Sequence, residues 1–374
     1  MLTLNCHTIK EIAHQPQMWM DTYDIVCRRK DDIAAFFKKN GINKESRIIL
    51  TGAGTSAFIA DTSECIFVKD GYHNAKAVST TDIVSTPESF LSPDDTLFIS
   101  FGRSGDSPES VAAYNIARKF CKNALHLIIT CNPNGFLAKS ADPEKDLVIV
   151  LPDGTNDRSL AMTSSFSSML AASILCKNIA EIEKAGEQLK SAAAFASAFL
   201  SDEITGIIEG ISRKPFSRAV FLGSGALKGI ACECHLKLQE LTDGQIMCTY
   251  DSFMGLRHGP KAVINKDTLV VYLLSDEAYT KRYELDLIDQ VNGEGQSGMQ
   301  VIVSTTPSGY KGGVDFEINA PAGELNSDNE FRFIPYVLIG QLLGYNFSLA
   351  KGLNPDTPAV RGTISRVVSG VKIY

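Results

Sequence analysis

The sequence contains two copies of one pattern, and this repeat limits the folds that are possible. An apolar, strand-like segment that runs into Gly-x-Gly begins at Arg47 and again at Arg218, 171 residues later. A second pair of matching apolar segments begins at Thr96 and Thr268, 172 residues apart, and a third pair follows at an offset of 174. Because the three matches keep their order and nearly one offset, we infer a duplicated structural unit.

Short apolar segments alternate with helical stretches within each half. This pattern is typical of a parallel sheet that carries helices on both faces. We therefore expect an α/β fold with two flavodoxin-like or Rossmann-like α-β-α sandwiches and mostly parallel sheets. The expected divisions are an N-terminal helical segment over 1–40, a first domain over 41–195, a second domain over 205–350 and a C-terminal tail over 351–374.

The composition excludes several classes of protein. With 374 residues, of which 44% are hydrophobic and 21% charged, the chain has the balance of a soluble globular protein. A formal net charge of −7 argues against a broad nucleic-acid surface. No apolar run reaches the roughly 18–20 residues that cross a bilayer, and no secretory signal is visible. We therefore expect a cytoplasmic protein without a nucleic-acid or membrane partner.

The sequence gives no sign of a metal or an organic cofactor. Most of the nine cysteines lie in apolar segments, which is typical of buried thiols in a reducing compartment. The close cluster over 232–235, Cys-Glu-Cys-His, lacks a second ligand pair at zinc spacing. A nicotinamide dehydrogenase is disfavoured because the third glycine of the dinucleotide fingerprint does not follow Gly52 and Gly54.

The first half carries a candidate phosphate-binding loop after its strand at Thr96. Hydroxyl groups and bare backbone amides stand together there, and Pro108 suits the first turn of a following helix, a combination that favours a phosphate monoester. Thr55 and Ser56 follow the strand at Arg47 and are expected to face the same crevice. A turn that only caps the helix is the alternative. The loop residues in question are Arg103, Ser104, Gly105 and Ser107.

The second half differs from the first at the matching position. There the sequence Leu-Leu-Ser-Asp-Glu has no glycine and two acids, so we expect it to repel phosphate. Instead, Glu233, Lys237 and Glu240 are spaced to share one helical face. His258 stands in a turn rich in glycine and proline. A solvated surface ion pair and a structural histidine are the alternatives to a catalytic role.

Taken together, these segments resemble a known family. Gly-Ala-Gly-Thr-Ser, Ser-Phe-Gly-Arg-Ser-Gly-Asp-Ser, Ala-Met-Thr-Ser-Ser and Arg-His-Gly-Pro-Lys are similar to the double sugar isomerase (SIS) proteins of the AgaS group. That group is described as tagatose-6-phosphate ketose/aldose isomerase or galactosamine-6-phosphate deaminase/isomerase. The resemblance runs from about residue 10 to the end and implies two tandem SIS domains. The isomerase half of glucosamine-6-phosphate synthase is a more distant relative.

The resemblance implies roles for individual residues. Glu240 would be the base that shuttles a proton, Lys237 its electrostatic partner, and His258 the group that opens the sugar ring. In the synthase that histidine comes from the other subunit, which implies a homodimer with an active site near the interface. The nearest match to a lysine that the synthase uses near its C-terminus is Thr363, with Arg361 as a neighbouring source of charge. The implied ligands of a hexose 6-phosphate are Thr55, Ser56, Arg103, Ser104, Gly105, Ser107, Thr163 and Glu233.

The function that we expect is a 1,2-proton shift on a sugar phosphate. A carboxylate moves the proton between carbons, a group that titrates near neutrality opens the ring, and a cation stabilises the intermediate. Applied to galactosamine 6-phosphate, this chemistry yields tagatose 6-phosphate and ammonia without a cofactor. The alternatives are a plain ketose/aldose 6-phosphate isomerase, a deglycase of a fructosamine-type 6-phosphate, and a sensor without catalytic activity.

Overall fold

Each half of the chain forms a five-stranded parallel β-sheet. A computed structural model describes residues 5–319, 325–368 and 370–374, so residues 1–4 of the expected helical segment, 320–324 of the second domain and 369 of the tail lie outside the described residues. The first sheet consists of β1 (Ile48–Thr51), β2 (Ala75–Ala77), β3 (Thr96–Gly102), β4 (Ala124–Thr130) and β5 (Asp146–Val150). The second consists of β6 (Arg218–Leu222), β7 (Met247–Asp251), β8 (Thr268–Leu273), β9 (Met299–Ser304) and β10 (Phe316–Asn319).

The two sheets have one topology. The first is ordered β2-β1-β3-β4-β5, and the second, read from its β7 edge, is ordered β7-β6-β8-β9-β10. The registers also correspond, since Ile49 pairs with Phe98 and the equivalent Val220 pairs with Val270. This is the strand order of flavodoxin-like folds, and it confirms the predicted pair of α/β sandwiches.

Helices surround these strands. In the first half they are α1 (His7–Ala13), α2 (Gln15–Arg28), α3 (Lys30–Lys39), α4 (Thr55–Lys69), α5 (Thr80–Ser85), α6 (Pro87–Phe90), α7 (Pro108–Phe120), α8 (Phe136–Lys139) and α9 (Ser164–Lys177). The later ones are α10 (Ile182–Phe199), α11 (Asp202–Ser212), α12 (Ala226–Leu241), α13 (Phe253–Leu256), α14 (Ala278–Glu294) and α15 (Val337–Ala350). Every residue of β3, β4 and β8 is buried, as expected for strands that helices cover on both faces.

The chain divides into two compact units that do not follow the sequence order. The first-sheet unit comprises Gln17–Asp157, Met162–Leu189 and the described residues from Ile364 to Tyr374. The second-sheet unit comprises the described residues up to Pro16, Arg158–Ala161, and those from Lys190 to Thr363. Helix α1 therefore belongs with the second sheet, where the Thr8 hydroxyl donates to Oδ1 of Asp356 at 2.7 Å. The end of the chain returns to the first sheet.

Both units turn from the first strand into the first helix through the same backbone conformation. Gly54 has φ +56° and ψ −128°, and Gly225 has φ +57° and ψ −127°. A side chain would be strained at such angles, which explains a glycine at both positions. The glycine two residues earlier is equally constrained, because a Cβ on Gly52 would lie 2.5 Å from the Cβ of Ser56.

Helix α15 is the apolar centre of the second-sheet unit. The segment Glu330–Ala350 is long and apolar enough to cross a bilayer by length and composition, which differs from our expectation. However, most of its apolar stretch is buried inside the protein, as expected of a core helix. It packs closely on α12, since a Cβ on Gly344 would lie 2.8 Å from the backbone oxygen of Lys237.

Candidate active site

The turn after β1 presents a serine at the start of a helix. Thr55 is the first residue of α4 and Ser56 the second, and both are 5% exposed. Within the part of the chain that the structure describes, the Ser56 hydroxyl makes no hydrogen bond to another residue. The backbone N–H of Ser56 donates to the oxygen of Ala53 at 3.1 Å, and that of Ala57 donates to the oxygen of Gly54 at 2.8 Å. The start of the helix also carries the positive end of its dipole. This turn is therefore suited to an anion.

Hydrogen bonds from residues that follow β4 fix the loop after β3. The backbone oxygen of Ser104 accepts a hydrogen bond from Nδ2 of Asn132 at 3.0 Å, and Oδ1 of Asp106 accepts one from the backbone N–H of Phe136 at 2.8 Å. The Ser104 hydroxyl oxygen also accepts the Asp106 N–H at 3.2 Å. Ser107 precedes α7 without capping it through its side chain. The loop is thus rigid and keeps a hydroxyl at the N-terminus of α7.

Arg103 lies in this loop and is only 6% exposed. Its Nη2 donates a hydrogen bond to the backbone oxygen of Arg366, in the C-terminal segment of the same unit. The structure thus places the predicted ligands Arg103, Ser104, Gly105 and Ser107 in a single loop of the first-sheet unit, which also contains Thr55 and Ser56.

The segment that contains Thr163 is organised by Asp157, a residue that we did not predict. The carboxylate of Asp157 is fully buried and accepts the backbone N–H and the hydroxyl of Thr163, both at 2.9 Å. It also accepts the N–H groups of Ser164 and Ser165 at 3.0 Å. Asp157 therefore satisfies the N–H groups that the start of α9 leaves without helical partners. The Thr163 hydroxyl is committed to this carboxylate.

Helix α12 of the second-sheet unit brings together three of the predicted catalytic and binding residues. Nζ of Lys237 lies 3.2 Å from Oε1 of Glu233 and donates a hydrogen bond to Oε1 of Glu240. Burial alone would lower the pKa of Lys237, but the two carboxylates outweigh it, and the pKa lies above its ordinary value. Lys237 and Glu233 have fully buried side chains, whereas that of Glu240 is 14% exposed. Glu240 is thus the member that a ligand can reach.

His258 lies at the surface of the second-sheet unit. It follows α13, its side chain is exposed, and its backbone N–H donates to the oxygen of Gly255 at 3.0 Å. Over the described ranges of the chain, its imidazole makes no hydrogen bond or ion pair with Lys237 or Glu240.

Acidic side chains lie in and against the loop after β8. The backbone N–H of Ser275 donates to Oε2 of the buried Glu284 at 2.8 Å, and Arg332 pairs with Asp276 at 3.2 Å and Glu277 at 2.8 Å. Burial raises the pKa of Glu284 to about 7. An added anion is disfavoured beside these acids, so the loop after β8 differs in charge from the candidate phosphate loop after β3.

Comparison with known proteins places the chain in a class and then in a family. A family model for the SIS domain matches residues 41–175. The crystal structure of tagatose-6-phosphate ketose/aldose isomerase from Escherichia coli superposes with a TM-score of 0.90 at 34% identity, covering 99% of this chain and 96% of that one. The fold and site therefore define a sugar-phosphate isomerase/deaminase, as predicted.

Two relatives then indicate the family. D-galactosamine-6-phosphate deaminase AgaS of Escherichia coli O157:H7 is 37% identical over 370 residues, which cover 98% of this chain and 95% of that protein. The enzyme of the same name from Shewanella sp. (strain ANA-3) is 36% identical over 374 residues, which cover 98% and 91%. The chain belongs to the AgaS family, and the predicted resemblance is confirmed.

Proposed function

We propose that the chain converts D-galactosamine 6-phosphate to D-tagatose 6-phosphate and ammonia. The observation that carries this proposal is the buried Lys237, paired with a Glu240 that solvent can reach, in a chain whose AgaS relatives match over 98% of its length. A carboxylate held beside an ammonium group can accept a proton from carbon and return it to the neighbouring carbon.

The phosphate would bind in the first-sheet unit. Ser56, Ser104, Ser107 and the backbone of Gly105 offer hydroxyl and N–H donors, and Arg103 offers charge. Such bonds to a charged group contribute roughly 1.5–3 kcal/mol each, so a few of them suffice to anchor the substrate. The contacts of Thr163 with Asp157 and of Glu233 with Lys237 support an organising role for these two candidates in substrate binding.

The chemistry would follow in three steps. His258 relays a proton as the ring opens to the aldehyde. Glu240 then removes the proton from C2, while Lys237 stabilises the negative charge that develops on O1, and the return of the proton to C1 leaves an imine at C2. Water adds to the imine carbon, the C–N bond breaks, and ammonia leaves with tagatose 6-phosphate. This sequence needs neither a metal nor an organic cofactor.

We further propose a cytoplasmic homodimer in which His258 serves the site of the partner subunit. The exposure of His258 and the lack of a hydrogen bond or ion pair between it and Glu240 over the described residues support this arrangement. Exposed apolar side chains lie nearby in sequence, with Met254 44% exposed and Tyr250 37% exposed, as expected of a surface that a second copy covers.

The test is ammonia release by the purified protein with galactosamine 6-phosphate and, separately, glucosamine 6-phosphate. We expect turnover of the galacto sugar, reduced about 10²–10⁴-fold in Glu240→Gln and unchanged in Glu203→Gln, an exposed acid on α11. Conversion of ketose to aldose phosphate without ammonia would favour the plain isomerase. Ammonia only from a fructosamine-type 6-phosphate would favour the deglycase, and binding without any turnover would favour the sensor.

A further inference from the structure

The C-terminal segment joins two loops that carry candidate substrate ligands. Arg103 follows β3 and Thr163 precedes α9, and no local pattern links them. Arg366 contacts the first loop directly and reaches the second through its neighbours, and all of these residues belong to the first-sheet unit.

The contacts of Arg366 use both its backbone and its side chain. Its backbone oxygen accepts a hydrogen bond from Nη2 of Arg103. Its Nε donates to the backbone oxygen of Asp157 at 2.8 Å, and its Nη2 donates to Oδ1 of Asn156 at 2.7 Å. The planar guanidinium makes two bonds with fixed geometry here, which a lysine ammonium reproduces poorly.

The second loop depends on the residue that Arg366 holds. The carboxylate of Asp157 accepts the backbone N–H and hydroxyl of Thr163, while its backbone oxygen accepts Nε of Arg366. A displacement of Arg366 therefore changes the surroundings of Arg103 and of Asp157 at once.

We propose that Arg366 is a positioning residue that fastens the Arg103 loop to the Asp157 segment and so orients Arg103 for the substrate phosphate. The proposal rests on the proposed function in assuming that the loop after β3 receives the phosphate. The related synthase uses a lysine near its C-terminus, and the sequence offered Thr363 and Arg361 as the nearest candidates for its place. The present proposal assigns the role of a C-terminal basic residue to Arg366 instead. The side chain of Arg361 is 73% exposed and lies 3.7 Å from Asp243, and both residues belong to the second-sheet unit.

Preorganisation of this kind acts mainly on binding. An arginine that is already oriented loses less conformational entropy when it binds an oxyanion. If Arg366 no longer holds Arg103, substrate affinity should therefore fall more than the rate of the chemical step. For Arg366→Ala in the full chain, we expect the KM for galactosamine 6-phosphate to rise about tenfold or more, with kcat changed less than about threefold. Arg366→Lys should fall between this variant and the wild type.

Two further variants separate positioning from long-range charge. Asn156→Ala removes one anchor of Arg366 without changing the net charge, and we expect a smaller rise in KM. The double variant Asn156→Ala/Arg366→Ala should have the same KM as Arg366→Ala alone, because both changes break the same contact between Asn156 and Arg366. Lys372→Ala removes a positive charge from the same C-terminal segment and should leave KM unchanged. The proposal would be overturned if KM were unchanged in Arg366→Ala, or if KM rose as much in Lys372→Ala as in Arg366→Ala. It would also be overturned if the fold-increases in KM of the two single variants multiplied in the double variant.

Binding of inorganic phosphate, followed by calorimetry, keeps this test independent of turnover. If the wild type binds phosphate and Arg366→Ala weakens that binding about tenfold, the positioning role stands even when no amino sugar is converted. If the wild type turns over its substrate while Arg366→Ala binds phosphate equally well, the proposed function stands and the positioning role fails.

Discussion

The ammonium group of Lys237 lies 3.2 Å from the carboxylate of Glu233, one turn earlier on the same helix, and both side chains are fully buried. Lys237 also donates to Glu240, so one cation serves two anions. Glu233 therefore balances charge in the protein interior, while the side chain of Glu240 is 14% exposed.

Loss of this cation should cost stability as well as activity. In Lys237→Met two carboxylates remain close together with one of them fully buried, and we expect a loss of about 3–5 kcal/mol in the free energy of unfolding. The double variant Glu233→Gln/Lys237→Met should recover part of this stability but none of the activity. Urea denaturation and an ammonia-release assay on the same samples measure both. Equal stability of the single and double variants would contradict the charge-balancing role of Glu233.

The proposed exchange of His258 between subunits predicts complementation. Glu240→Gln and His258→Ala should each be strongly impaired alone, whereas unfolding and refolding them together should form mixed dimers with one intact site. Random pairing should then restore about a quarter of the wild-type activity. The dimer itself is checked by light scattering. If dimers form but refolding together restores nothing, both residues act in the site of one chain.

The close packing of α15 on α12 predicts a cost for one methyl group. In Gly344→Ala the added Cβ would lie 2.7 Å from Cδ1 of Leu241 and 2.8 Å from the backbone oxygen of Lys237. We expect a loss of about 1–3 kcal/mol in stability and a fall in kcat, because Lys237 must move. Gly210→Ala on α11 is the control. None of the residues that the structure describes has an atom within 4 Å of a Cβ there outside the helix's own backbone, and a gain of about 0.5–1 kcal/mol is expected. Equal thermal denaturation curves for both variants would argue against the packing explanation.

A buried histidine outside the candidate site predicts acid sensitivity. His126 is 1% exposed between the rings of Phe98 and Tyr114, and burial, aided by the charge of Arg118, lowers its pKa to about 3. Below pH 6.5 the unfolded chain binds a proton that the folded chain does not. The free energy of unfolding should therefore fall by up to about 1.4 kcal/mol per pH unit as the pH drops from 6.5 towards 3. Urea titrations of His126→Phe should show a shallower decline, and an identical slope would contradict this assignment.

Glu284 predicts the opposite dependence. With a pKa of about 7 when folded, it keeps its proton at pH values where the unfolded chain, with an ordinary value of 4.5, has lost it. Its contribution to stability is therefore complete below pH 4.5 and is lost as the pH rises through 7. Glu284→Gln can still accept the N–H of Ser275 and carries no charge. Its melting temperature relative to the wild type should rise between pH 5 and 8, whereas a constant difference would refute the buried acid as the cause.

Local pattern and repetition were enough to predict much of the fold and the individual loops. The matches at Arg47 and Arg218 already implied two sheets of one topology, and the glycine and serine residues around Ser104 marked the rigid loop after β3. The spacing of Lys237 and Glu240 on one helical face placed them in contact. These features could be predicted because each one either involves only a few consecutive residues or recurs at a constant offset along the sequence.

Other features depend on contacts that no local pattern records. Arg103 and Arg366 are 263 residues apart, and the bond between them ends on a backbone oxygen, which any residue could supply. Asp157 lies six residues before Thr163, outside the usual capping distance. The burial of Glu330–Ala350 is likewise a property of the packed second-sheet unit and not of its apolar sequence.

The matching backbone angles of Gly54 and Gly225 have a consequence for how such an enzyme arises. An ancestral copy that bound phosphate through one turn would, once doubled, have carried two equivalent anion pockets. The later copy kept the shape of the turn, but acids now fill its neighbouring loop, and its first helix carries Lys237 and Glu240. The duplicated scaffold thus kept one backbone turn while the side chains around it diverged, and the proposed function assigns the two copies different tasks.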